Sequence, residues 1–237
     1  MLFNNLRDKF QLKLKDRTTA GYILGESLKN VIKREDERKN SIVLGIPRGG
    51  VIISDAIAAK LPCEFGTIMT RKLRAPYNEE VAIGAVMEDG TAYLNEVIIK
   101  ELEISHEYIE KEKTLQLDNI KRKISLYYGS TVSKDYDLMG DKTVILADDG
   151  AATGATIIAA TRWIRARKKP AKLVVAIPVA PKDTMDLLRR EAVDHIEVIM
   201  SPPTSHFRSV GQYYQSFEPV SDNEVIKIIQ KNDKHLL

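Results

Sequence analysis

The chain has little that would place it in an oxidising compartment or in a membrane. Its 237 residues include one cysteine, Cys63, which excludes a disulfide framework. No apolar run approaches the roughly 20 residues that a membrane-spanning helix needs. The N-terminal stretch MLFNNLRDKFQLKLKD alternates charged and apolar residues and has no signal-peptide core. We therefore expect a cytoplasmic protein with no membrane segment.

A strong charge of one sign is also missing. The 36 basic residues are interleaved with 33 acidic ones, and the net charge of +3 is too small to indicate a nucleic-acid partner. The densest basic run, 162–169, ends a predicted helix, where cations complement the helix dipole. This charge balance is compatible with a small anionic substrate.

Several common site motifs are absent. The histidines are scattered, and no Cys/His cluster offers a metal site built by the protein alone. The P-loop pattern G-x-x-x-x-G-K-[ST] does not occur, and neither does the Rossmann pattern G-x-G-x-x-G. Phosphate recognition in this chain therefore has to use another loop.

What the chain does contain is an alternation of strand and helix patterns. Apolar runs predict strands at 42–47, 63–72, 81–95 (two strands joined by a Glu-Asp-Gly turn), 142–148, 171–180 and 195–202. Helical spacing predicts helices at 18–36, from Val51, at 101–127, at 155–167, at 182–192 and at 222–231. Segment 74–80 has a loop composition, and 202–221 has no clear period. The alternation predicts one α/β domain with a central, mostly parallel sheet flanked by helices.

The stretch VILADDGAATGAT, Val144–Thr156, joins a buried strand to two carboxylates and a loop of small residues. Ligands of open parallel sheets bind outside the carboxyl ends of the strands, where Asp148 and Asp149 are expected. The small residues of Gly150–Thr156 let the backbone approach a ligand, and the following helix N-terminus favours an anion. The geometry predicts phosphate on the loop and hydroxyls or a hydrated metal at the carboxylates. A plain strand-to-helix turn is the alternative.

This stretch resembles the PRPP-binding motif of type I phosphoribosyltransferases. The resemblance implies that Asp148 and Asp149 hold the 2′- and 3′-hydroxyls of the ribose. It also implies that the 5′-phosphate lies in the loop formed by Gly150, Ala151, Ala152, Thr153, Gly154, Ala155 and Thr156. Mg²⁺ would reach the site through PRPP oxygens and water, with no direct protein ligand.

Two further segments resemble parts of the same family. GIPRGGV, Gly45–Val51, resembles its pyrophosphate loop, which often contains a strained or cis non-proline peptide. Arg48 supplies a forked cation there, and Gly49 and Gly50 allow unusual torsions. TRKLRAP, Thr70–Pro76, resembles the start of its mobile catalytic loop. The resemblance places Arg71 and Lys72 at pyrophosphate, with Arg74 joining on closure.

The resemblance covers roughly residues 40–200 and implies a small hood, a flexible loop hairpin and a homodimer. The hood would come from the chain ends, and its acceptor-site candidates are Phe207, Tyr213, Tyr214 and Arg208. The aromatic residues among them are equally compatible with packing of segment 202–221, called the tail below. The ensemble is most similar to uncharacterised stand-alone members, whose acceptor the resemblance does not supply.

One position departs from part of the family. Oxopurine-type members carry an aspartate before Thr-Gly, whereas this chain has Ala152. We therefore name no general base, although the loop carboxylates Glu79 and Glu80 are candidates. The expected activity is Mg-dependent transfer of the 5-phosphoribosyl group of PRPP to a nucleobase or another small nucleophile. The alternatives are a PRPP-binding regulatory protein and, ranked last, a metal-dependent phosphohydrolase.

Overall fold

The computed structural model describes residues 13–129 and 139–233. In chain order the helices are α1 Arg17–Val31, α2 Glu35–Lys39, α3 Gly49–Lys60, α4 Glu96–Glu101, α5 His106–Tyr128, α6 Ala155–Arg167, α7 Lys182–Leu188 and α8 Asp222–Asp233. The strands are β1 Ser41–Gly45, β2 Glu64–Thr67, β3 Thr70–Ala75, β4 Asn78–Met87, β5 Ala92–Leu94, β6 Thr143–Ala147, β7 Lys172–Val179 and β8 His195–Met200. None of the helices in the described ranges is long and apolar enough to cross a membrane.

The central sheet has five parallel strands in the order β2-β1-β6-β7-β8. Every residue of β6 is buried, as an apolar strand covered on both faces requires. The predicted α/β class and the mostly parallel sheet flanked by helices are therefore confirmed. The chain runs outward from β1 to β2 and later returns to place β6 on the other side of β1.

Alternating side chains of the strands contribute to two cores. Leu44 and Leu146 face a core completed by Trp163 of α6. Their neighbours Val43 and Ile145 face the opposite core, which α1 and α3 cover. Packing on both faces of the sheet holds the carboxyl ends of β1 and β6 side by side. The residues singled out in the sequence, Arg48, Asp148 and Asp149, follow these two ends.

A second sheet, antiparallel and three-stranded in the order β3-β4-β5, packs against α5 and α8. The single strand predicted at 63–72 is wrong, because β2 ends at Thr67 and β3 begins a different sheet. Ile68 and Met69 are buried at the corner, so the apolar run continues while the chain changes sheets. The predicted loop 74–80 is likewise wrong, since β3 and β4 form a hairpin in which Ala75 pairs with Asn78.

Several predicted helix boundaries also change. The helix predicted at 18–36 ends at Val31, and the Arg38 guanidinium donates to the carbonyls of Ile32 and Lys33 at the break. The helix predicted at 101–127 begins at His106 instead, because the Ser105 hydroxyl accepts from the Tyr108 N–H and caps α5 there. A separate short helix, α4, ends at Glu101. The helix at 155–167 has the predicted bounds, and the helix predicted from 182 ends at Leu188 rather than 192.

The start of the described chain meets the segment that precedes α8 beside the central sheet. Leu14 forms an isolated parallel bridge with Tyr214, and the Gln215 N–H donates to the Leu14 carbonyl at 2.8 Å. The tail contains two short 3-10 turns, Thr204–His206 and Val210–Tyr213. Residues 1–12, to which the predicted hood also extends, lie outside the described ranges.

Candidate active site

The candidate site is a crevice at the carboxyl ends of β1 and β6. The strand order reverses direction between these two strands, and such a switch point is where open α/β sheets bind ligands. The loop after β1 carries Arg48, and the loop after β6 carries Asp148 and Asp149. A cavity of about 450 Å³ opens between these loops and β3.

Asp148 and Asp149 are partly buried at the end of β6. The Asp149 N–H donates to the Asp148 carboxylate at 2.9 Å. Burial and the charge of Asp149 raise the pKa of Asp148 well above its ordinary value. Burial also raises the pKa of Asp149, against the opposing charge and hydrogen bond of Arg17. The pair is therefore costly to keep ionised without a ligand that offers hydroxyls or positive charge.

The loop that follows holds its backbone open toward the cavity. Gly150 has φ +153°, and a Cβ there would lie 2.5 Å from Val210. Gly154 has φ +73° and precedes the first turn of α6. That first turn leaves N–H groups, such as that of Thr156, without intrahelical acceptors. All seven loop residues from Gly150 to Thr156 line the cavity, and the arrangement suits an anion.

The loop is anchored from behind. The Ala151 N–H donates to the Val179 carbonyl at 2.9 Å, and the Thr184 hydroxyl donates to the Ala152 carbonyl at 2.5 Å. These bonds use groups that point away from the cavity. They hold the loop in place without filling it.

Four cations face the acidic pair across the cavity. Arg48 lies in the loop after β1, and Arg71, Lys72 and Arg74 lie on β3. Among the described side chains, no carboxylate forms an ion pair with Arg48, Arg71 or Lys72. Burial, together with the charges of Arg74 and Arg48, lowers the pKa of Arg71. Arg48, Arg71 and Lys72 therefore present positive charge to the cavity that no described carboxylate neutralises.

Gly49 and Gly50 let the loop after β1 approach the loop after β6 closely. They do not adopt the unusual torsions that were predicted for them. Neither has a positive φ, and both lie in the first turn of α3. A Cβ on Gly49 would lie 1.9 Å from the Asp149 carboxylate, and one on Gly50 would lie 2.6 Å from the Ala147 carbonyl. The peptide bond between Pro47 and Arg48 is cis. The two loops are thus in direct contact at the switch point.

Arg17 is a site residue that the sequence analysis missed. Its Nε donates to the Asp149 carboxylate at 2.7 Å, and its guanidinium lies 3.7 Å from the ring centroid of Phe217. A further nitrogen donates to the Glu218 carbonyl at 2.9 Å. Arg17 lies at the start of α1, far from the motif in sequence, and no local pattern marks it.

The predicted acceptor residues lie elsewhere. Phe207 and Tyr213 stack on each other with ring centroids 5.6 Å apart and pack against the core that α1 and α3 cover. Neither lines the cavity, and Arg208 does not line it either. Val210 and Phe217 line it instead. Packing of the tail, the alternative interpretation, accounts for the pair's position.

Two other expected residues have different outcomes. The Tyr214 hydroxyl donates to the Asp149 carbonyl at 2.7 Å, so this tyrosine supports the acidic loop from behind. The side chains of Glu79 and Glu80 lie outside the described part of the structure. Their candidacy as bases stays a prediction.

The geometry defines a class of protein before any comparison. A small-residue loop, an acidic pair and a facing group of cations at the switch point of a parallel sheet suit a ligand that combines phosphates with sugar hydroxyls. A family model for the phosphoribosyl transferase domain matches residues 14–214. The chain therefore belongs to the phosphoribosyl transferase family, and the resemblance to its type I members is confirmed.

Individual relatives agree with this assignment. Proteins from two strains of Mycobacterium tuberculosis, each named "putative phosphoribosyl transferase", are 31% identical over 216 residues, or 91% of this chain and 46% of each relative. The chain thus spans about half the length of these curated relatives. The crystal structure of TT1426 from Thermus thermophilus is similar, with a TM-score of 0.70 and 31% identity over 92% of this chain and 98% of that one.

Proposed function

We propose that the protein is a Mg-dependent phosphoribosyltransferase that binds PRPP at the switch point. The observation that carries the proposal is the pairing of two adjacent, partly buried carboxylates with a phosphate-type loop, opposite cations that form no ion pair with a described carboxylate. Asp148 and Asp149 accept hydrogen bonds from the ribose hydroxyls. Gly150–Thr156 surround the 5′-phosphate, and Arg48, Arg71 and Lys72 bind the pyrophosphate group.

The transfer breaks the bond between C1 of the ribose and the pyrophosphate oxygen. Pyrophosphate leaves with the bonding electron pair, and the acceptor forms the new bond to C1 and loses a proton. Positive charge develops on the ribose ring during this step, and the two carboxylates stabilise it. The cations stabilise the charge that accumulates on the leaving group.

Magnesium fits the residues present. Carboxylate and phosphate oxygens are the ligands that Mg²⁺ prefers, and it retains several waters in such sites. Within residues 13–129 and 139–233, no group of three or more His, Cys, Asp or Glu side chains forms a metal cage. Mg²⁺ would bind mainly through PRPP oxygens and water, and it would offset the charge of the pyrophosphate group. Asp148 and Asp149 are the nearest protein carboxylates.

The acceptor is a small molecule that enters beside Val210 and Phe217. Both side chains give this part of the cavity an apolar surface against which the acceptor can pack, while the Arg17 guanidinium covers one face of the Phe217 ring. The position that carries an aspartate in oxopurine-type members is Ala152, which lines the same cavity. We therefore expect an acceptor that does not need a carboxylate from this position.

Asp149→Asn tests the PRPP site directly. The substitution removes the charge from a hydrogen bond worth about 1.5–3 kcal/mol, so Mg-PRPP binding should weaken by about 10- to 100-fold. Isothermal titration calorimetry measures the change. Asp141→Asn, at an exposed position, is the matched control and should leave the affinity unchanged. Equal affinities for Asp149→Asn and the wild type would refute the site.

Turnover distinguishes the enzyme from a regulatory protein of the same fold. The protein is incubated with PRPP, Mg²⁺ and a panel of nucleobases and other small nucleophiles, and pyrophosphate release is followed. We expect release with at least one acceptor, and slower release with Asp149→Asn at the same PRPP concentration. PRPP binding without turnover across the panel would favour the regulatory alternative.

A further inference from the structure

The part of the cavity beside Val210 and Phe217 contains an arginine whose N–H groups are only partly used. The Arg17 side chain has five N–H groups in total. Its Nε donates to the Asp149 carboxylate at 2.7 Å, and one terminal nitrogen donates to the Glu218 carbonyl at 2.9 Å. No other described residue accepts a hydrogen bond from Arg17. The three remaining N–H groups therefore all belong to the two terminal nitrogens.

These remaining N–H groups have to find their acceptors in the cavity. The Arg17 side chain is only 10% exposed, and it lines the cavity. Polar groups that are this strongly buried are normally hydrogen-bonded. The partner of the terminal nitrogens is therefore water in the free protein or a ligand that displaces this water.

The guanidinium is held in one orientation before any ligand binds. Its central carbon lies 3.7 Å from the centroid of the Phe217 ring, so the ring covers one face of the planar group. The Asp149 carboxylate and the Glu218 carbonyl fix its edge from two directions. Since the cation is already ordered, a ligand that binds to it loses little affinity to side-chain entropy.

The surroundings of Arg17 offer few hydrogen-bond acceptors to an uncharged ring. Val210 and Phe217, which line the cavity here, are apolar. Two nearby carbonyls are already used, because that of Asp149 accepts from a tyrosine hydroxyl and that of Ala152 from a threonine hydroxyl. The edge of a neutral nucleobase presents N–H donors together with acceptors, and each donor needs a partner. This end of the cavity is better suited to an apolar ring whose acceptor oxygens are concentrated in one group.

We propose that the acceptor substrate is a planar aromatic or heteroaromatic molecule that carries a carboxylate. The terminal nitrogens of Arg17 bind the carboxylate, and the ring packs against the apolar surface of Val210 and Phe217. The forked N–H groups of an arginine match the two oxygens of a carboxylate. This inference rests on the proposed function and names the substrate class for the same site. It gives Arg17 a direct contact with the acceptor in addition to its contact with Asp149.

The test uses pairs of acceptors that differ only by a carboxylate. Binding of Mg-PRPP is first measured by calorimetry, and pyrophosphate release is then followed at saturating PRPP. The pairs are orotate and uracil, anthranilate and aniline, and imidazole-4-carboxylate and imidazole, and every member has an N–H group at which transfer can occur. In at least one pair, kcat/KM should be about 10- to 100-fold higher for the carboxylate than for its uncharged partner.

Arg17→Lys tests whether this preference comes from the guanidinium. The substitution keeps the positive charge and removes the fork, so the ratio of kcat/KM within the pair should fall about 10-fold. Weaker PRPP binding or a change in packing would affect both members of a pair alike and leave the ratio unchanged. Arg208→Lys is the matched control, since Arg208 is exposed and does not line the cavity. Its ratio should equal that of the wild type.

Several outcomes would overturn the inference and leave the PRPP site intact. One is an uncharged acceptor that reacts as well as its carboxylate partner in every pair, and another is an unchanged ratio in Arg17→Lys. If no acceptor turns over, all six are titrated into the protein saturated with Mg-PRPP, and carboxylates that bind no more tightly than their partners overturn it. A wild type that does not bind PRPP would instead refute the proposed function, and the acceptor class would fail with it.

Discussion

At the residue scale, the charge state of Asp149 depends on Arg17. Burial raises the pKa of Asp149, and the Arg17 guanidinium supplies the largest opposing effect through its charge and its hydrogen bond. Lys72 contributes in the same direction as Arg17. Arg17 is itself only 10% exposed and is held by Phe217 and the Glu218 carbonyl. It is therefore a positioning residue for the acidic pair.

Arg17→Gln should move the pH dependence of PRPP binding. Without the guanidinium the pKa of Asp149 rises further, so this carboxylate is protonated at higher pH. The loss of PRPP affinity on acidification should therefore begin at a higher pH than in the wild type. Arg17→Lys keeps the positive charge and should shift this pH less. Calorimetric titrations of Mg-PRPP across a pH series measure the shift.

The control is Arg189→Gln, which removes an exposed arginine paired only with Asp186 among the described residues. Its pH profile should coincide with that of the wild type. A reduced affinity for Arg17→Gln with an unchanged pH profile would contradict the role in charge control and leave Arg17 with a packing role.

At the element scale, α5 holds the β3–β4 hairpin at a bulge. The register between these strands shifts on both sides of Arg74, which takes its backbone out of the regular ladder. The Glu112 carboxylate accepts from the Arg74 N–H at 3.0 Å, and the Tyr108 hydroxyl donates to the Arg74 carbonyl at 3.0 Å. Glu112 is 8% exposed and also accepts from Gln116, which lines the PRPP cavity. The helix thus positions the strand that carries Arg71 and Lys72.

Glu112→Leu should loosen this strand without removing a cation from the site. The Arg74 N–H loses its acceptor, so amide hydrogen exchange at residues 72–75 should accelerate about 10-fold, and PRPP affinity should fall. Hydrogen exchange followed by mass spectrometry measures the first effect. Glu110→Leu, at an exposed position of the same helix, should leave the exchange rate unchanged. Equal exchange in the two variants would rule out the anchoring role of Glu112.

The element scale also shows where sequence patterns stop being informative. The strands of the parallel sheet and the bounds of α6 follow from apolar runs and helical spacing, because both patterns record burial directly. The corner at Ile68 and Met69 is buried on both sides of the change of sheet, so no break in burial marks it. The break at Ser105 depends on one side-chain cap inside a polar stretch.

At the scale of the whole molecule, the site could be predicted only where it is contiguous in sequence. The loop Asp148–Thr156 and Arg48 follow β6 and β1, and the parallel topology brings the carboxyl ends of these two strands together. Arg17, Gln116 and Phe217 reach the cavity through packing of α1, of α5 and of the segment that precedes α8. Such contacts between distant segments leave no periodic or compositional trace.

The acidic pair also affects the stability of the whole chain. The pKa of Asp148 is raised in the folded state by burial and by the charge of Asp149, against the opposing effects of Lys72 and Arg17. A group with a raised folded-state pKa contributes its full stability below its unfolded pKa of about 3.9 and loses it as the pH rises through the folded-state value. Asp148 therefore contributes less stability to the free protein at neutral pH than at acidic pH.

Asp148→Asn should consequently raise the melting temperature at pH 7 while weakening PRPP binding. The amide stays neutral at every pH, so the gain over the wild type should shrink as the pH falls toward 4. A gain of 1 kcal/mol corresponds to about 2–4 °C in a chain of this size. Scanning calorimetry without PRPP measures the difference from pH 4 to 8, with Asp141→Asn as the exposed control. Two results would contradict this prediction: a variant that melts at or below the wild-type temperature at pH 7, or a gain that is the same at every pH. Either would show that the charge of Asp148 does not destabilise the free protein.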